Sequence, residues 1–161
     1  MRKDQEKNKI DFTFINTNAR SLCPKMSSLI DCFGDLSASI GVITETWLTD
    51  GESLQEDIDD LVLGTGLQMI CRNRNPNERG FSHGGLAIVF RDAVVNLRQV
   101  SLRNPEKLEA LMATGKVKGC PRGMAVVGCY APPNYSTARA RMAMDLAAGA
   151  VAEAKRTLED Q

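Results

Sequence analysis

The residues of this sequence best suited to chemistry are polar ones at the ends of two short apolar runs. Asn16 opens the phrase Asn16-Thr-Asn-Ala-Arg-Ser-Leu22, and Glu45 lies inside Ile43-Thr-Glu-Thr-Trp-Leu48. A carboxylate that closes an apolar strand can hold Mg²⁺, which prefers oxygen ligands and takes one or two carboxylates together with substrate phosphate. An amide beside it can donate to a phosphoryl oxygen. Each residue alone has a plainer reading: a solvated glutamate at a strand end, and an asparagine capping a turn.

The elements that must position them are legible as periodicity. Ile10, Phe12 and Phe14 alternate with Asp11 and Thr13, a strand signal. The same parity puts Asn16 on their face, where burial would oblige its amide to find a partner. Pro24 suits the first turn of a helix, with Met26, Leu29, Ile30 and Phe33 on one side and Gly34 as the stop. A short apolar run, Ile40 to Ile43, then ends at Glu45, so a βαβ-like opening carries both polar phrases at strand ends.

Asp50 to Asp60 reads as an acidic loop or short helix, and Leu67 to Cys71 as a strand entering the arginine-bearing loop Arg72 to Gly80. Four more strands follow: Leu86 to Phe90, Val94 to Val100, Leu108 to Val117 and Met124 to Tyr130. The turn signal Gly119-Cys-Pro-Arg-Gly123 makes the last two an antiparallel hairpin. Pro132 and Pro133 stop it, and a helix follows with Met142, Leu146, Ala147, Ala150, Val151, Ala154 and Leu158 as its apolar stripe. Residues 1–9 form a polar leader and residues 10–161 one mixed α/β unit.

Composition narrows the function classes. Twenty Lys and Arg balance twenty Asp and Glu, so bulk positive charge does not drive any binding to DNA, and such contacts must be local. The five cysteines show no CxxC spacing, which argues against a zinc site or disulfide framework. No apolar run reaches the ~18 residues of a membrane span, and the leader lacks a signal-peptide core. The expectation is a soluble intracellular protein of nucleus or cytoplasm with no membrane partner. His83, the sole histidine, sits in Ser-His-Gly-Gly and reads as a loop residue.

The order of these phrases resembles the start of the endonuclease/exonuclease/phosphatase superfamily, and within it the endonuclease domain of LINE-type (non-LTR) retrotransposons. Cys71-Arg-Asn-Arg74, Gly84-Gly-Leu-Ala-Ile-Val-Phe-Arg91 and Gly128-Cys-Tyr-Ala-Pro-Pro-Asn134 continue the register. The resemblance implies a DNase I-like, four-layer α/β/β/α sandwich with mixed, mostly antiparallel sheets, of which this chain would be the N-terminal part. It implies Mg²⁺- or Mn²⁺-dependent cleavage of a DNA phosphodiester. By position, Asn16 would contact the scissile phosphate or orient the water, Glu45 would hold the metal, and Tyr130 would donate to the phosphate. Asn18, Arg20, Arg72, Arg74 and Asn134 would line the DNA. For Tyr130 the plainer reading is a half-buried strand aromatic, and for Arg72 and Arg74 a solvated loop.

The resemblance also implies an Asp-x-Asn strand end and an aspartate-histidine pair further on. No Gly-Asp-Phe-Asn or Ser-Asp-His phrase occurs in the 161 residues. The expectation is a truncated domain without useful nuclease activity alone. Half a sandwich would leave an inner face wet, with Ile10, Phe12 and Phe14 on it, and would need a missing C-terminal piece or self-association. The alternative from a different class is a non-catalytic α/β binding or interaction module left from a degenerate transposon.

Overall fold

The computed structural model describes residues 11–48, 58–59, 62–73, 84–102, 109–120, 122–131 and 136–159. Two sheets form. The first has strand order β1-β2-β4-β3, from β1 (Phe14–Asn18), β2 (Ile40–Thr44), β3 (Leu67–Arg72) and β4 (Leu86–Arg91). The second has order β5-β6-β7, from β5 (Val95–Val100), β6 (Glu109–Val117) and β7 (Gly123–Tyr130). The helices are α1 (Met26–Asp35), entered through a 3₁₀ turn at Cys23–Lys25, and α2 (Thr137–Glu159).

Strands β1 and β2 run parallel, as the intervening α1 requires, and every other pair is antiparallel. The βαβ opening and the β6–β7 hairpin are therefore present as their patterns predict. The strand start differs: residues 11–13 are not in a strand, and β1 begins at Phe14.

Side-chain parity divides the core into layers. Ile43, Leu67, Ala87 and Val89 leave the first sheet on its outer side and bury Met26, Leu29 and Phe33 of α1, with Ile58 and Val62 completing that cluster. Ile40, Val42, Leu86, Ile88 and Phe90 point the other way, into Val95, Leu97, Leu111, Ala113 and Val126 of the second sheet. On the far side Ala110 and Cys129 meet Ala143, Leu146 and Ala147 of α2. The sequence of layers is helix, sheet, sheet, helix.

Two sequence readings are corrected. Gly34 lies inside α1. The helix instead closes at Ser37, which adopts φ +48°, while Ser37 and Ala38 donate back to Gly34 O and Phe33 O. Arg91 secures the same end from β4, donating to Phe33 O at 3.0 Å and Ala38 O at 3.3 Å. On α2 the expected stripe holds at Leu146, Ala147, Ala150, Ala154 and Leu158, joined by the buried Ala143, while Met142 and Val151 turn to solvent. The helix lies close on β7: a Cβ at Gly123 would come within 2.9 Å of Leu158.

Strand β1 is an edge among the described residues. Its residues Phe14 and Asn16 pair with Ile40 and Val42, so they face the second sheet, but they lie beyond its cover. Phe14 is 52% exposed and Phe12 39% exposed. Asn16 is exposed too, which removes the desolvation cost that its parity with the phenylalanines suggested.

Gly115 marks the closest approach within the second sheet. A Cβ there would lie 1.7 Å from the backbone oxygen of Asn96, which cannot yield without breaking the β5–β6 register. Gly115→Ala is expected to lower Tm by more than about 5 °C, a loss at the severe end for a single substitution. A thermal melt within a degree of wild type would contradict this packing.

Candidate active site

The site forms where three chain segments leave the first sheet and are bonded to one another through their backbones. Beyond β1, Ala19 N donates to Thr44 O, Ser21 N to Glu45 O and Leu22 N to Thr46 O, at 2.9, 3.0 and 2.9 Å. On the other side Thr46 N donates to Gly85 O at 3.3 Å and Trp47 N to Gly84 O at 2.8 Å. Lys25 closes the first turn by donating through Nζ to Ala19 O and Arg20 O.

This arrangement costs backbone strain. Arg20, Ser21, Glu45 and Trp47 have φ of 44°, 81°, 53° and 54°, in the left-handed region that residues with a Cβ avoid. Such conformations cost about 1–3 kcal/mol each, and they concentrate at functional sites because only a well-braced surround holds them. Here the bracing is the ladder of amide bonds just described.

Glu45 receives a hydrogen bond from the Tyr130 hydroxyl, 85 positions away at the end of β7. Partial desolvation, then the bond to Glu45 and the negative charges of Glu45 and Glu109, push the Tyr130 phenol up to about 12; Arg20 pulls it the other way. Tyr130 is therefore a neutral donor at physiological pH.

Sequence reasoning missed Glu109. It stands opposite Tyr130 in the β6–β7 register, and its Oε1 accepts the Gly85 amide proton. A second carboxylate thus adjoins the phenol. Gly85 is required there as well: φ is +88°, and a Cβ would lie 2.4 Å from Thr46 Oγ1. That hydroxyl is buried and meets no hydrogen-bond partner among the described residues.

The other sequence candidates divide. Arg20 is exposed beside the Glu45–Tyr130 pair. Asn18 is exposed, and its Oδ1 accepts the Arg20 amide at 3.2 Å, capping the turn. Asn16 stands one strand over, opposite Val42. Arg72 is half-buried and its Nη1 donates to Ala110 O at 2.5 Å, tying the first sheet to the second. Arg74, Asn134 and His83 lie outside the described residues. A groove of about 680 Å³ runs along β1 and α1 past Asn16, Asn18 and Lys25, and includes neither Glu45 nor Tyr130.

Among the described residues no group of three or more His, Cys, Asp or Glu side chains could hold a metal ion alone. Glu45 with Glu109 nearby does suit Mg²⁺, which keeps several waters and completes its shell with substrate phosphate. Bound there, the ion would neutralise charge on a phosphoryl oxygen.

Two sheets packed face to face between helices, with a carboxylate and a phenol meeting at their strand ends, define a layered α/β sandwich. The chain belongs to the endonuclease/exonuclease/phosphatase family, whose family model matches residues 8–158. Among curated proteins none matches it in sequence.

Solved structures share the fold. The 3′ phosphatase NExo from Neisseria, bound to a product DNA hairpin, is 15% identical with a TM-score of 0.58, over 91% of this chain and 52% of its own. An AP endonuclease from Archaeoglobus fulgidus is 13% identical with a TM-score of 0.54, over 81% and 46%. The human Nocturnin catalytic domain with bound sulfate is 14% identical with a TM-score of 0.52, over 74% and 46%. The chain spans about half the length of these structures.

The raised phenol gives a direct test. Its folded pKa lies above the unfolded value of about 10, so the stability it contributes is complete below pH ~10 and is lost as pH rises toward 12. In a Tyr135→Phe background, absorbance at tyrosinate wavelengths should report Tyr130 ionising near 12, and Glu45→Gln should bring it down toward 10. Ionisation near 10 in the Tyr135→Phe protein itself would mean that neither the burial of the phenol nor its bond to Glu45 holds.

Proposed function

We propose that this chain is the metal-dependent phosphodiester-cleaving part of a nuclease domain from the non-LTR retrotransposon branch of the family. The observation that carries the reading is the Tyr130–Glu45 hydrogen bond between the two sheets, with Glu109 and Arg20 beside it. Glu45 would hold Mg²⁺ or Mn²⁺. Tyr130, a neutral donor, would turn its hydroxyl to a phosphoryl oxygen when substrate arrives, and Arg20 would meet a neighbouring phosphate. Asn16 and Asn18 on the uncovered inner side of β1 would lie along the strand to be cut. The phrases Asn-Ala-Arg-Ser-Leu and Thr-Glu-Thr-Trp-Leu favour the transposon branch over a phosphatase of the same family.

The chain alone is proposed to be inactive. Nothing in it matches the aspartate-histidine phrases that would supply a general base, and a positioned base contributes about 10²- to 10⁴-fold. The uncovered face at Phe12 and Phe14 supports the same view, since a further polypeptide segment or a second copy would shield it.

Two measurements check this. In a plasmid-nicking assay with Mg²⁺ the chain is expected to match its Glu45→Ala variant, and turnover that disappears in the variant would overturn the inactivity. In fluorescence polarisation, labelled DNA should bind more tightly with Mg²⁺ than with EDTA, a difference lost in Glu45→Ala; binding indifferent to both would favour the non-catalytic module. Separately, light scattering should show concentration-dependent self-association that Phe14→Lys weakens. A strictly monomeric wild type with a cooperative melt would count against the exposed face as an interface.

A further inference from the structure

Trp47 is the one tryptophan of the chain, and it is 37% exposed two residues beyond Glu45. Exposure alternates along this segment: Thr46 and Leu48 are buried, whereas Glu45 is half-buried and Trp47 exposed. Glu45 and Trp47 are thus both accessible, and two residues apart their Cα atoms lie at most about 7 Å from each other. A scattered exposed aromatic needs no explanation by itself. This one is held out by a backbone in the left-handed region at both Glu45 and Trp47, and the segment is pinned by amide bonds to Gly84 on one side and from Leu22 on the other.

We propose that Trp47 is a stacking platform for an unpaired nucleobase of the nucleotide whose phosphate meets Glu45 and Tyr130. The inference rests on the nucleic-acid reading above and adds to it a base-binding position. A broad, flat indole on a rigid mount suits a π-face of any base, so the contact selects unpaired over paired nucleotides without reading sequence. An indole can stack in this way only on a base outside the duplex, which makes single-stranded or frayed DNA the preferred ligand. The stacking supplies orientation at low entropic cost, because the strand-end ladder has already fixed the backbone.

The single tryptophan is its own reporter. The full chain is titrated in Mg²⁺ with single-stranded DNA and with a strand of equal length whose sugars carry no bases, following tryptophan emission and, in parallel, polarisation of a label on the strand. The expected result is saturable quenching by the base-bearing strand alone, at concentrations where polarisation shows both strands bound. Trp47→Phe should retain most of the affinity and Trp47→Leu should weaken it by about 5- to 100-fold, with the baseless strand unaffected by either change. DNA binding without quenching, or equal quenching by the baseless strand, would overturn the platform and leave the nuclease reading standing. Binding of neither strand would overturn the nuclease reading and the platform with it.

Discussion

The site depends on the face-to-face packing of the two sheets. Glu45 leaves the first sheet and Tyr130 ends the second, so the hydrogen bond between them exists only while Ile40, Val42, Leu86, Ile88 and Phe90 are buried against Val95, Leu97, Leu111, Ala113 and Val126. The interdigitated side chains set how the strand ends meet, as in any two-sheet core. Arg72, donating to Ala110 O, and Glu109, accepting from Gly85 N, are polar ties across the same gap. They fix the relative register that apolar packing, being non-directional, leaves loose.

The three polar segments above the first sheet are the counterpart of that packing. Their amide ladder satisfies backbone groups that leave the sheet, and it holds four left-handed residues in place. Family membership agrees with such a strained, braced rim. The likeness at 13–15% identity reaches the fold and no further.

Much of this was legible in the sequence. Alternation located the strands, the i, i+3, i+4 spacing located α1, and the glycine-rich turn located the β6–β7 hairpin. Glu45 and Tyr130 were legible only as members of an ordered set of phrases, because each alone fits an ordinary strand end. Glu109 was not legible: a glutamate beginning a strand looks like a solvated charge until the β6–β7 register sets it opposite Tyr130. Arg72 sits at the head of a loop rich in arginine, and nothing local marks its bond to a carbonyl 38 positions away. The stripe of α2 was legible at Leu146, Ala147, Ala150, Ala154 and Leu158 and failed at Met142 and Val151, which hydrophobicity ranks above the buried Ala143. The end of α1 followed Ser37 and not Gly34, since cap geometry is decided by which carbonyls remain open and not by which residue is most permissive.

The bridge between Glu45 and Tyr130 also separates two meanings of being folded. Each sheet closes its own hydrogen bonds, and each packs a helix on its outer side, so secondary structure can be complete in both halves before they dock. A state with native-like strands but slack inter-sheet packing would keep its far-ultraviolet signature and lose the site entirely. Destabilising changes deep between the sheets, remote from any polar residue, would then part Glu45 from Tyr130 while leaving the molecule outwardly intact. For this architecture, loss of the candidate site is a matter of alignment between two preformed halves before it is a matter of unfolding.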